Sequence, residues 1–141
     1  FQRLLSERPT SIFMKANDYS AKAPALSTKV GGVYELRTYT AAENKLAMLN
    51  ARFANHTTKF FLKHGMSNVG YWTPYDRPES ENTLIYLIQH ESREKADKNW
   101  QAFSQDPDWQ KVARDSRRQG KLLKRKPERL YLKPLDFSPA K

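Results

Sequence analysis

The chain has 141 residues, enough for one domain with length to spare, and no cysteine, which excludes disulfides, thiolate nucleophiles and cysteine-ligated metals. Its net charge of +10 sits mostly between Lys111 and Lys133, opposed there only by Asp115 and Glu128, and no zinc-finger spacing, RNA-binding strand motif or phosphate-cradling glycine loop accompanies it. The charge therefore reads as a solvated basic surface with no specific nucleic-acid partner.

No apolar run approaches the roughly 18 residues that cross a membrane. The chain opens at Phe1 without a signal-like stretch, so it reads as a processed chain or a fragment with any targeting region out of view. The compartment stays open on these grounds. Only 38% of the residues are hydrophobic, so a core can form but gains from a partner surface.

In chain order, the first element repeats the last. Arg3-Leu4-Leu5 through Pro9 matches Lys121-Leu122-Leu123 through Pro127. Ser11 to Lys15 matches Arg129 to Lys133, and Asp18-Tyr19-Ser20 matches Asp136-Phe137-Ser138. One ungapped offset aligns all three pairs. Residues 1–20 are thus expected to be the C-terminal strand of a missing upstream domain, residues 21–32 a linker, and residues 33–141 one whole domain. The alternative is an N-terminal arm that happens to hold a strand.

Val33 to Thr40 is rich in β-branched and aromatic residues and predicts a strand. A helix is expected from about Ala42 to Lys63, with Leu46, Leu49, Phe53, His56 and Phe60 on one face and Gly65 as the stop. Asn68 to Tyr75 and Thr83 to His90 predict two more strands, the latter central. Ser92 caps a second helix bearing Ala96, Trp100 and Phe103. Asp106 and Pro107 restart it with Trp109 and Val112 on its apolar face. A final strand is expected at about Arg129 to Phe137.

The order β-α-β-β-α-β predicts a ferredoxin-like α+β fold, a four-stranded antiparallel sheet with both helices on one face. The strands carry apolar residues on both alternations, so the second face also needs cover. A second sheet would close an α+β barrel. It would come from the upstream repeat within one chain or from a homodimer.

Several stretches resemble the NIPSNAP family of the dimeric α+β barrel group. They are Val33-Tyr-Glu-Leu-Arg-Thr-Tyr39, His56-Thr-Thr-Lys-Phe-Phe-Leu-Lys-His-Gly-Met66, Gly70-Tyr-Trp72, Asn82-Thr-Leu-Ile-Tyr86 and Ala102-Phe-Ser-Gln-Asp-Pro-Asp-Trp109. Together they cover nearly the whole domain. The tail resembles the end of such a domain, as in members with two tandem copies. The resemblance implies the ferredoxin-like fold and pairing into a barrel, but no settled reaction. Related barrels include cofactor-free monooxygenases, an analogy of fold alone.

The candidate pocket is Glu35, Arg37, Tyr39, His56, Tyr71 and Tyr86, inside the barrel or at its rim. Alternation puts Glu35, Arg37 and Tyr39 on one strand face, a carboxylate, a guanidinium and a phenol in reach of each other. The competing reading is a satisfied buried ion pair with tyrosines packed round it. His56, between Phe53 and Phe60, reads as a shifted base or a core histidine. Three scattered histidines predict no metal site, and nothing calls for a cofactor. The expected function is a module for dimeric assembly, with a small-molecule ligand as a further partner. The alternative is a cofactor-independent enzyme, monooxygenase- or isomerase-like, on a small apolar or aromatic substrate.

Overall fold

The computed structural model describes residues 5–20 and 32–139. Strand β1 (Met14–Ala16) precedes β2 (Val33–Thr40). One long helix follows in three parts: α1 (Leu46–Arg52), a π-helical turn (Phe53–Thr57) and α2 (Thr58–Lys63). Then come β3 (Ser67–Pro74), a short 3-10 turn (Glu79–Glu81), β4 (Thr83–His90), α3 (Arg93–Gln105), α4 (Pro107–Ser116) and β5 (Glu128–Leu132).

The sheet is antiparallel throughout, in the order β1-β3-β4-β2-β5. From β2 onward this is the ferredoxin-like arrangement, with the most apolar strand, β4, in the interior as expected. The sheet has five strands where the sequence predicts four. The extra one is β1, from the repeated tail, hydrogen-bonded along the free edge of β3 with Lys15 opposite Thr73. Tyr75 and Asn17 extend the pairing by donating to the carbonyls of Phe13 and Tyr71. The last strand stops at Leu132, short of the predicted Phe137. Pro134 lacks the amide needed to carry the ladder on. The linker expected at 21–32 lies, Gly32 apart, outside the described residues.

The helices turn where the sequence supplies caps. Ser92 accepts a hydrogen bond from the Lys95 amide, and Asp106 accepts one from Asp108 with Pro107 in the first turn. Asp106 also receives Lys63 Nζ and His64 Nε2, each at 2.7 Å, which ties the end of α2 to the start of α4. Those two partners hold the Asp106 carboxyl well below the ordinary carboxylate range.

The core lies between the sheet and the helices. Leu49, Phe53, Phe61 and Met66 from the helical side meet Tyr71, Leu84, Tyr86 and Ile88 from the sheet. Burying each such side chain is worth about 1.5–3 kcal/mol, so this layer dominates the fold's stability.

Among the described residues no helix lies over the opposite sheet face. Register pairing puts Leu130, Leu36 and Leu87 in one row across it, and Leu132, Tyr34 and Gln89 in the next. Trp72 lies along this face over Gly70, where an added Cβ would strike the indole ring. Leu36, Leu87 and Trp72 are half-buried, and Leu130 and Leu132 are 56% and 40% exposed. Tyr34, Ile85 and Gln89 on the same face are nevertheless buried.

Candidate functional site

The alternation of β2 delivers Glu35, Arg37 and Tyr39 to one face, as the sequence predicts, and that face is the one covered by the helices. They point toward the helical layer and away from the face that carries Leu36 and Leu87. The reason is register: Glu35 lies opposite Ile88, Arg37 opposite Tyr86 and Tyr39 opposite Leu84, all turned toward α1, α2 and α3.

Glu35 is fully buried. Its Oε1 accepts from Trp100 Nε1 at 2.8 Å and its Oε2 from Arg37 Nη1 at 3.2 Å. His90 Nε2, also buried, stands 3.4 Å from Oε1 without completing a hydrogen bond, and the Tyr131 hydroxyl is left unpaired in the same way. Burial pushes the Glu35 carboxyl up. The His90, Tyr131 and Trp100 groups aimed at it and the Arg37 charge outweigh that and bring it down to about 2. It is therefore ionised through the whole physiological range. In return Glu35 and burial push the Tyr131 phenol up to about 12.

Arg37 bridges two partners. Its Nη2 donates to the Tyr39 hydroxyl at 3.3 Å, and its guanidinium lies 4.4 Å from the centroid of the Trp100 ring. Its Nε has no hydrogen-bond partner. Tyr39 in turn accepts from the Tyr86 hydroxyl at 3.2 Å.

Tyr71 and Tyr86 join this group, but as packing. They stack at 5.2 Å between ring centroids, both lie tilted against Phe53, and Tyr86 also lies tilted against Phe61. Both are essentially without solvent contact, and burial raises their phenols above the ordinary value. Neither can serve as a base near neutral pH. Chemically, the row Glu35–Arg37–Tyr39–Tyr86 is a chain of hydrogen-bonded pairs whose carboxylate is already engaged.

His56 does not join them. It is exposed, on a groove of about 380 Å³ between α1 and α4 that Met48, Arg52, Lys111 and Asp115 also line. The sequence spacing of Phe53, His56 and Phe60 assumes an unbroken α-helix. The π turn adds one residue, so Phe53, Thr57 and Phe61 are buried instead. Sequence reasoning also missed His90, Trp100 and Tyr131 as the companions of Glu35. Their convergence depends on strand pairing, Glu35 opposite Tyr131, which local periodicity does not carry.

At the mouth of this cluster a cavity of about 450 Å³ opens between α3 and the start of β5. Arg37 and Trp100 form its inner wall, and Lys126, Pro127 and Arg129 its outer one. Among the described residues no group of three or more His, Asp or Glu side chains is placed to hold a metal ion, and no helix is long and apolar enough to cross a membrane.

A ferredoxin-like α+β domain with a buried ion-pair row under its helices is the class these features define. The NIPSNAP family model matches residues 34–139, and the chain belongs to that family. No curated protein matches the chain in sequence. Among solved structures, a NIPSNAP-like domain protein from Burkholderia xenovorans superposes with a TM-score of 0.63 at 20% identity, covering 77% of this chain and 89% of that one. A NIPSNAP family protein of unknown function from Agrobacterium tumefaciens gives 0.64 at 19%, covering 79% and 95%. SnoaB, a cofactor-independent oxygenase from Streptomyces nogalater, gives 0.51 at 15%, covering 78% and 99%. At these identities the likeness is one of fold.

Proposed function

We propose that the domain is an assembly module whose open sheet face packs against a second sheet of the same kind, supplied by the upstream repeat or by a second copy, to complete an α+β barrel. One observation carries this reading. The tail residues that repeat the region of β5 add as β1 to the free edge of β3. By the same offset β1 corresponds to Leu132, Lys133 and Pro134 at the end of β5, so the end of a C-terminal strand from a neighbouring unit would add at that edge. The apolar row Leu130–Leu36–Leu87, with Leu132 beside it, supplies the surface that such a neighbour would bury.

The enzyme alternative requires Arg37, Tyr39 and His56 to share a cavity. Arg37 opens on the space beside Trp100, whereas His56 opens on the groove against α4. Tyr86 is held neutral by burial, and Tyr39 is hydrogen-bonded to Arg37 and Tyr86 and packed edge-on against Phe53. Both points favour a structural role for the row.

Sedimentation equilibrium at micromolar concentration tests the reading. The expected mass is that of a dimer, and Leu36→Lys with Leu87→Lys should give a monomer with unchanged helical circular dichroism. A monomeric parent chain, or a double variant of undiminished mass, overturns it.

A further inference from the structure

We propose that the cavity between α3 and β5 is a binding site for a small organic carboxylate, held by Arg37, Lys126 and Arg129 with its apolar body against Trp100 and Pro127. Arg37 and Arg129 are direct partners in the β2–β5 register. Like charges placed opposite each other across an antiparallel pair repel and destabilise the sheet. The usual remedy is an intervening carboxylate, and Glu35, the carboxylate paired with Arg37, is already engaged by Trp100 and Arg37 and lies fully buried. Among the described residues no ion pair involves Lys126 or Arg129. Three cations therefore border one cavity whose described lining contains no carboxylate.

The cavity also has the shape of a site. Its volume of about 450 Å³ lies within the range of small-molecule pockets. Its inner wall is rigid. Arg37 is locked between Glu35, Tyr39 and the Trp100 ring, with its Nε still lacking an acceptor. Its outer wall is mobile in the ordinary way of exposed long side chains, since Lys126 and Arg129 stand in solvent. Gln101 and Ser104 add neutral hydrogen-bonding groups along α3. A carboxylate placed here relieves the Arg37–Arg129 repulsion. A flat or aliphatic body then rests against Pro127 and the part of half-buried Trp100 that lines the cavity. The site faces the helix side, away from the surface proposed to pair, so it stands or fails separately from barrel assembly.

The test uses the whole chain labelled with nitrogen-15, titrated with 2-naphthoate and, in parallel, with neutral 2-naphthamide. The chain has three tryptophans, so three indole N–H signals are read, and Trp100→Phe assigns the one that matters. The expected result is a saturable shift of the Trp100 signal by 2-naphthoate, with 2-naphthamide at least tenfold weaker. Lys126→Ala with Arg129→Ala should weaken 2-naphthoate by at least tenfold. Both residues are exposed, and the double variant should melt no lower than the parent, since a like-charge pair is removed. Equal binding of the amide, a shift confined to Trp72 or Trp109, or an affinity indifferent to the double variant overturns the proposal.

Discussion

Glu35 holds a full charge out of water, and everything about its surroundings follows from that. Its folded carboxyl lies at about 2 against an ordinary value of 4.5. Because the folded value is the lower one, the stabilisation is complete above 4.5 and is lost as pH falls from there toward 2. The loss expected from this residue is on the order of 3 kcal/mol. Asp106, also held low, contributes in the same direction over the same acid limb. Urea midpoints between pH 7 and pH 2.5 check this. Glu35→Gln should be less stable than the parent at neutral pH, because Arg37 loses its counter-charge in a buried setting. Its acid slope should be shallower, though not flat, with Asp106 still present. A variant with the parent's full acid slope sinks the assignment. The sequence placed Glu35, Arg37 and Tyr39 together correctly, because period-two alternation is a local rule. It could not say which face they took, because that is set by where the helices fall across the whole sheet.

At the level of elements, the helix after β2 shows how one inserted residue redirects a surface. Leu49 and Phe53 enter the core on the expected spacing, and then the π turn shifts the sequel by one, burying Thr57 and Phe61 and leaving His56 outside. Thr57 Oγ1 donates to the Arg52 carbonyl, within the turn whose main-chain pattern is widened. Deleting the exposed Asn55 should return the segment to a regular α-helix that presents the same two residues to the core, since steps of four, three and four along an α-helix share a face. The thermal midpoint should then change by less than about 1 kcal/mol-equivalent, against roughly 3 kcal/mol or more for Phe61→Ala. Loss of cooperative melting on deletion would show that the π turn itself is needed. No propensity distinguishes a π turn from an α-helix in advance, which is why the spacing of Phe53, His56 and Phe60 pointed to the wrong histidine position. The order of elements, by contrast, was legible, because turn residues bound the strands and Ser92 and Asp106 cap the last two helices.

For the whole molecule, the issue is what closes the sheet, and the repeat offers a residue-level answer. Lys15 faces Thr73 in the β1–β3 register, and Lys15 corresponds by the ungapped repeat to Lys133. If one unit's C-terminal strand serves its neighbour as β1 serves β3 here, Lys133 of one copy should face Thr73 of the next. In the full chain β1 already occupies that edge, so a Thr73→Cys, Lys133→Cys double variant should give little cross-linking between copies on mild oxidation. Removing residues 1–20 from the same variant vacates the edge and should produce a covalent dimer. The parent sequence has no cysteine, so the two introduced thiols are the only ones able to react. A Lys15→Cys, Thr73→Cys chain, bridged within itself, supplies the control that the edge geometry admits a disulfide. Strong cross-linking in both lengths would mean that the C-terminal segment is mobile enough to meet any thiol. None in the shortened chain, with the control bridged, would mean that β1 is an arm particular to this chain and that the second sheet, where it packs, leaves the β3 edge alone.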